Sequence, residues 1–390
     1  MKYIKFYLLF LAISSLIFNT NSFAQSEEDQ SFTGIEEIIV TARKKSEPLQ
    51  ETPVTITALT ETKIQKLYAT DLQDLGMSVP NLLINTAASG SFTNSAAVFM
   101  RGIGNSDIDS TIDPPIGIFI DGVYVPRSSN SNLDLFDVEQ VEVLRGPQGT
   151  LFGRNTTAGA IVVRSKRPTG EYGAKARLTI GEYGRRDLRV AVETPLSDTV
   201  NAKISILQQK SDGFFKAKYQ THPDYSVPAQ MGYEYDGDYE DTGGDDVFAV
   251  RPMLEFNPSE TFKFTLIGEY SKDRSQPIPA MNASKPNQVL STVYGRPGGG
   301  YQSNVILNFG PGYIHADIKG LTAEAVWELE GGTLTSITNF RETEYQMREE
   351  IDWTDAPMFG IVRTEPHEQK STELRYSTDV NDRLSITAGI

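Results

Sequence analysis

From about residue 170 onward, apolar and charged side chains alternate one for one, a period of two that belongs to β-strands with two unlike faces. Ala174, Ala176, Leu178 and Ile180 alternate with Lys175, Arg177 and Thr179, and Leu188, Val190 and Val192 with Asp187, Arg189 and Glu193. The same holds for Phe248/Val250/Leu254/Phe256, Phe262/Phe264/Leu266/Tyr270, Leu321/Ala323/Ala325/Trp327/Leu329 and Thr372/Leu374/Tyr376. Between Thr333 and Tyr345, Ile337 falls out of phase. Short connections at 195–198, 257–259, 331–332 and 381–382 alternate with long ones at about 218–245, 273–319 and 352–368. Short turns on one rim and long loops on the other describe a transmembrane β-barrel. The connection near Gly181 to Gly184 is an exception, a short turn where a long loop is expected. A soluble sandwich has no reason to sort its loops by length onto alternate ends.

Composition narrows the chemistry. No cysteine is present, which excludes thiolate metal sites and cysteine nucleophiles, and the three histidines lie far apart in sequence, which argues against a histidine-rich site. The net charge of −15 has the wrong sign for a general nucleic-acid binder. No apolar run reaches the ~18 residues of a membrane helix.

At the N-terminus, Lys2 and Lys5 precede the apolar run Phe6 to Phe18, and Ser22-Phe23-Ala24 offers small residues at a cleavage site. This predicts a signal peptide over 1–24 and export. Residues 25–46 hold one β-prone island, Ile38-Ile39-Val40-Thr41, between Glu36-Glu37 and Arg43-Lys44-Lys45. Residues 47–168 mix short strands (54–57, 116–125, 140–144) with short helices (61–68, 71–75), the pattern of a compact α+β domain.

One long string, Val138-Glu-Gln-Val-Glu-Val-Leu-Arg145-Gly146-Pro147-Gln-Gly149-Thr-Leu-Phe-Gly153 and on through Pro168, closely resembles the plug domain of TonB-dependent outer-membrane receptors. Supporting matches are Val79-Pro80-Asn81, Met100-Arg101-Gly102-Ile103-Gly104, Ile118 to Tyr124 and, in the barrel, Gln369 to Tyr376. Glu37, Ile38, Ile39, Val40 and Thr41 look like the TonB box, a segment that adds a strand to a partner's sheet edge. The bland alternative is one more edge strand of the folded domain. The plug-motif positions are Gly102, Gly146, Pro147, Gly149 and Gly153; the glycines at 146, 149 and 153 mark tight turns or close backbone approach. Read as a nucleotide loop they fail, since Asp107 occupies a required glycine position and no Walker lysine follows.

The resemblance implies an α+β plug over 47–168 followed by an antiparallel transmembrane barrel from 169 to 390, with about 22 strands in the full-length family member. Nine strand candidates lie between 173 and 390, about 24 residues each, so 22 strands need on the order of 540 residues. The chain is therefore expected to be an N-terminal fragment.

The resemblance further implies active import of a scarce nutrient, most often a ferric siderophore, with cobalamin, haem, oligosaccharide or another organic compound as alternatives. It implies an outer-membrane protein in contact with lipid, the TonB protein of the inner-membrane complex as energy-coupling partner, and no nucleic acid. No catalytic residue, cofactor or resident metal is expected, and the chain is not read as an enzyme. A passive porin and a secreted soluble β-protein are the rivals. Candidate ligand contacts at the plug apex are Asn105, Asp107, Asp109, Tyr124 and Arg127. Family plug arginines meet barrel glutamates, which implies a latch of Arg101 or Arg145 with Glu373, whose alternation turns it toward the lumen. The acidic loop 236–246 could hold Ca²⁺, but it misses the EF-hand pattern at Asp241 and Val247 and reads better as a solvated loop.

Overall fold

The computed structural model describes residues 37–85, 95–106, 111–127, 134–220, 236–277, 285, 287–288, 304–307, 312–350, 360–381 and 383–390. The expected signal peptide lies outside them. The first part of the fold is the α+β domain. Its strands are β1 (Ile39–Val40), β2 (Glu47–Pro48), β3 (Ile56–Thr60), β4 (Leu82–Asn85), β5 (Ala97–Met100), β6 (Ile103–Gly104), β7 (Ile116–Ile120), β8 (Val123–Val125), β9 (Val138–Arg145) and β10 (Gly159–Ser165). Short helices α1 (Glu61–Lys66), α2 (Leu72–Gly76) and α3 (Gly149–Phe152) complete it.

A five-stranded sheet in the order β3-β9-β10-β7-β8 forms the spine. Only β10 and β7 run parallel; the other pairs are antiparallel. Period-two side chains give the sheet two apolar faces. Leu59, Val141, Val143, Ile161 and Val163 point to one, where α1, α2 and the β4-β5-β6 sheet cover them with Ile64, Leu72, Leu75, Ile84 and Met100. Ala58, Phe119, Leu144, Ala160 and Val162 point to the other, and Val40 and Ala42 pack there. Helix α2 starts where the Asp71 side chain accepts from the Asp74 N–H at 3.1 Å, an N-cap that the run Thr-Asp-Leu-Gln-Asp encodes. Asp121 (φ 49°) and Gly122 (φ 82°) form the two-residue turn between β7 and β8, where both central residues need positive φ.

The second part is a nine-stranded antiparallel sheet. It comprises β11 (Gly173–Ile180), β12 (Arg186–Ser197), β13 (Val200–Lys210), β16 (Asp246–Ser259), β17 (Phe262–Asp273), β19 (Tyr313–Leu329), β20 (Gly332–Glu350), β21 (Gly360–Asn381) and β22 (Leu384–Gly389), each paired with the next. The count and the phase agree with the alternation in the sequence. Leu188, Leu254, Leu321, Trp327 and Leu374 are exposed on the outer face, while Asp187, Arg189, Lys203 and Glu255 are buried on the inner one. Hydrocarbon replaces water at the outer face of a barrel in a membrane, which makes that segregation favourable.

The connections differ from expectation on the long-loop rim. Strand β14 (Phe215–Gln220) pairs with β15 (Asp236–Thr242) and β18 (Asn304–Leu307), so these loops carry a small sheet of their own. Strand β21 starts at Gly360 and β19 at Tyr313, so both loops are shorter than the sequence predicts. Inside the acidic loop, Asp241 pairs with Lys216 at 2.8 Å, and among the described residues no group of acidic side chains gathers around a cation position.

Ile337 is a regular member of β20, turned inward and buried. A Cβ at position 122 would lie 2.6 Å from its Cδ1, so the out-of-phase isoleucine is where the inner wall touches the β7–β8 turn. It breaks the polar phase because its neighbour is plug backbone, not water.

Candidate functional site

The segment from Ile38 to Leu49 lies on the second face of the plug sheet. Strand β1 pairs with β2 alone, and Leu49 N–H donates to the Ile38 carbonyl at 2.8 Å. Val40 and Ala42 are fully buried, while Glu37 and Ile39 are exposed. Two side chains of β9 reach up to this segment. The Glu142 carboxylate accepts from the Thr41 N–H at 2.9 and 3.0 Å and from its Oγ1 at 3.0 Å. Gln140 Nε2 donates to the Ile39 carbonyl at 3.0 Å and to Glu142 at 3.1 Å. Burial pushes the Glu142 carboxyl above its ordinary range, against the pull of the Thr41 hydrogen bonds.

Lys44 (φ 62°) turns the chain toward the barrel. Its ammonium lies 5.0 Å from the centre of the Phe152 ring and 5.7 Å from that of Phe119, and it pairs with Glu373 at 3.1 Å. Burial lowers the Lys44 pKa, and Glu373 opposes this. Lys45 pairs with Asp379 at 2.9 Å, beside the short turn between β21 and β22. The segment thus opens onto the short-turn rim, next to a cleft of about 880 Å³ lined by Thr41, Lys44, Phe119, Phe152, Arg375 and Asp379.

The expected latch is not formed. Glu373 does face inward, but its partners are Lys44 and the neighbouring Arg375. Arg145 donates to the Pro80 carbonyl at 3.3 Å and to Thr57 Oγ1 at 3.2 Å, inside the plug. Arg101 (φ 52°) lies beside Gly146, with its guanidinium 3.5 Å from where a Cβ there would stand. The reason is the alternation of β9. Arg145 shares a face with Val141 and Val143, while Glu142 and Leu144 point to the face that carries Lys44.

Other charges hold plug and wall together, mostly with the opposite polarity. Asp137 of the plug pairs with Lys203 of β13 at 2.6 Å, both side chains 3% exposed, and it also accepts from Ser205 Oγ. Asp134 pairs with Arg189 of β12 at 2.7 Å, and Arg189 also lies 3.4 Å from Asp187. Beyond β10, Arg167 pairs with Glu324 at 2.6 Å and lies 3.6 Å from Asp121. Glu61 of α1 takes Lys166 at 2.9 Å and Lys175 of β11 at 2.6 Å. Charged residues in the inward phase of β12 and β13 were the available signal for these ties; their plug partners carried none.

Among the motif glycines, Gly102, Gly146 and Gly153 have φ of 80°, 105° and 81°, a conformation that costs any other residue strain, and Gly149 opens α3 after Pro147. Of the apex candidates, Asn105 and Arg127 line one narrow cleft with Pro114 and Ile116. Tyr124 is engaged elsewhere. Its hydroxyl accepts from Asn155 Nδ2 at 3.0 Å and its carbonyl from Gln369 Nε2 of β21 at 3.0 Å. Asp107 and Asp109 lie outside the described residues.

This arrangement, a two-faced plug sheet tied by charge pairs to the inner wall of an antiparallel sheet, has close parallels. Residues 48–160 match the family described as TonB-dependent Receptor Plug Domain. Residues 48–160 are therefore a plug domain of the TonB-dependent receptor type. The Catecholate siderophore receptor Fiu of Escherichia coli (strain K12) is 32% identical over 169 residues, 43% of this chain and 21% of that receptor. The Vitamin B12 transporter BtuB of Vibrio vulnificus (strain CMCP6) is 24% identical over 337 residues, 83% of this chain and 54% of the transporter. The crystal structure of the ferric yersiniabactin uptake receptor FyuA from Yersinia pestis superposes with a TM-score of 0.67 at 18% identity, over 85% of this chain and 46% of that one. The chain thus spans about half, or less, of the length of the relatives it matches. In the fold of these receptors the nine-stranded sheet is barrel wall.

Proposed function

We propose that this chain is the plug and part of the barrel of a TonB-dependent importer, which carries an iron siderophore or a similar scarce nutrient across an outer membrane. The observation that carries this reading is the 38–42 segment. Its strand Ile39–Val40 is seated on the plug, and the turn that follows carries the chain to the short-turn rim, where a periplasmic partner would reach it. On this reading Glu37, Ile38, Ile39, Val40 and Thr41 are the TonB box and TonB is the coupling partner. Residues 1–24 are then a signal peptide, 25–46 the periplasmic segment, 47–168 the plug and 169–390 barrel. Transport breaks no bond in the ligand, so no catalytic group is assigned. Ligand contacts at the plug apex are assigned to Asn105, Asp107, Asp109 and Arg127. The BtuB match extends further along the chain than the Fiu match, which keeps cobalamin as the second substrate reading.

Ile39→Pro in the full-length receptor tests the reading, because proline removes a main-chain donor and fixes φ in a segment that must pair as a strand. Accumulation of radiolabelled ferric siderophore should fail while its binding to cells persists. Equal accumulation by variant and parent would refute the assignment of the segment, and flux that survives deletion of 36–41 would indicate a passive pore.

A further inference from the structure

Glu142 is a carboxylate with no exposure on the second strand of a five-stranded sheet, and Thr41 is its main partner. A buried charge of this kind destabilises a sheet unless something specific receives it. Two residues earlier on the same face, Gln140 holds the Ile39 carbonyl. The pair Gln140 and Glu142, spaced by one strand period, therefore donates to one main-chain group and accepts from another two residues on. That is the hydrogen-bonding pattern of a neighbouring strand, supplied here by side chains. The groups it occupies, Ile39 C=O and Thr41 N–H, are the groups that an extended segment offers to the edge of another sheet.

We propose that Gln140 and Glu142 form a side-chain clasp that mimics a partner strand, so that the 39–41 segment is bound either to the plug or to a strand-adding partner, never to both. The inference rests on the reading of this segment as the TonB box. The clasp sets how often the segment is free, and it makes release of Thr41 from Glu142 an obligatory step before the partner pairs.

Residues 1–390 contain no cysteine, so a reporter thiol placed there is read against the parent receptor as the labelling blank. Val40→Cys places one at a fully buried position of the segment, and Ala160→Cys, in a separate variant, places one at a fully buried position of the sheet beneath it. Maleimide labelling is followed in outer-membrane vesicles holding the full-length receptor without ligand or TonB. Adding Glu142→Ala should speed labelling at position 40 by at least about tenfold, since loss of a charge-assisted hydrogen bond shifts a local opening equilibrium by that factor or more. Labelling at position 160 should stay slow. An unchanged rate at position 40 overturns the clasp. Where Glu142→Ala also exposes position 160, Thr41→Pro decides, because it leaves β9 untouched and removes the N–H that Glu142 receives: faster labelling at position 40 alone supports the clasp, and an unchanged rate overturns it. Affinity for the purified periplasmic domain of TonB separates the two levels. Tighter binding by Glu142→Ala supports both, while faster labelling with no gain in affinity keeps the clasp and refutes the box assignment.

Discussion

Lys203→Met is the most direct probe of how the plug is held. The Lys203 ammonium donates to Asp137 at 2.6 Å and to the Lys166 carbonyl at 3.1 Å, and Ser205 is the other partner of Asp137. Methionine keeps the length of the stem and removes the charge, which leaves the buried Asp137 carboxylate without its ion-pair partner and held by one hydroxyl. Removing one partner of such a pair costs roughly 3–5 kcal/mol, far above the ~1 kcal/mol of an exposed pair. With a urea slope near 2 kcal/mol/M for a domain of this size, the plug should release roughly 1.5–2.5 M earlier. The assay is urea-dependent labelling of Ala160→Cys in the detergent-solubilised full-length receptor. Adding Asp137→Asn removes the orphaned charge, so the double variant should recover about half of the loss, a coupling well beyond the ~0.5 kcal/mol scatter of independent sites. A Lys203→Met cost below about 1 kcal/mol, or strict additivity of the two changes, would refute the argument that this pair is desolvated in the assembled protein.

Two further outcomes are expected. At Glu61, desolvation raises the carboxyl pKa, but Lys175 and Lys166 outweigh it and leave the value below the ordinary range. A depressed folded pKa means stability present above the ordinary glutamate value and lost as pH falls through the folded one. Hydrogen exchange in α1 should therefore accelerate on acidification in that window, and Glu61→Gln should flatten the response; an equal response in the variant rejects the tie. At Gly122, alanine must hold a positive φ and displace the Ile337 side-chain tip, so Gly122→Ala should cost at least ~1–2 kcal/mol. Ile337→Val in the same chain should relieve the steric part only, and a neutral Gly122→Ala in the same urea assay would remove that contact from the account.

Much of the fold was legible because one face of each barrel strand is apolar and the other charged, and that contrast survives in a bare sequence. Nine strands, their phase and the inward turn of Glu373 follow from it. The plug was legible from its long motif. The tertiary partners were not. The motif that resembles the family's puts Arg145 opposite Glu373, yet one residue of alternation on β9 sends it to the other face of the sheet. Ile337 is out of phase with its own strand, and the reason, the β7–β8 turn, lies more than two hundred residues away in the chain. Glu142 sat in plain view inside a motif string, but nothing in local pattern says that a carboxylate amid valines is receiving a main-chain N–H from Thr41.

The charge ties also differ in how much chain each one must close. Asp137 and Lys203 are 66 residues apart, Lys44 and Glu373 are 329 apart. Loop-closure entropy grows with the logarithm of that length, so the second tie costs about 1.4 kcal/mol more to form than the first. It is also the wetter of the two, with the Glu373 side chain 35% exposed. The tie that joins the start of the plug to β21 is therefore the weaker of the two, and the tie to β13 is the one that fixes the plug against the wall.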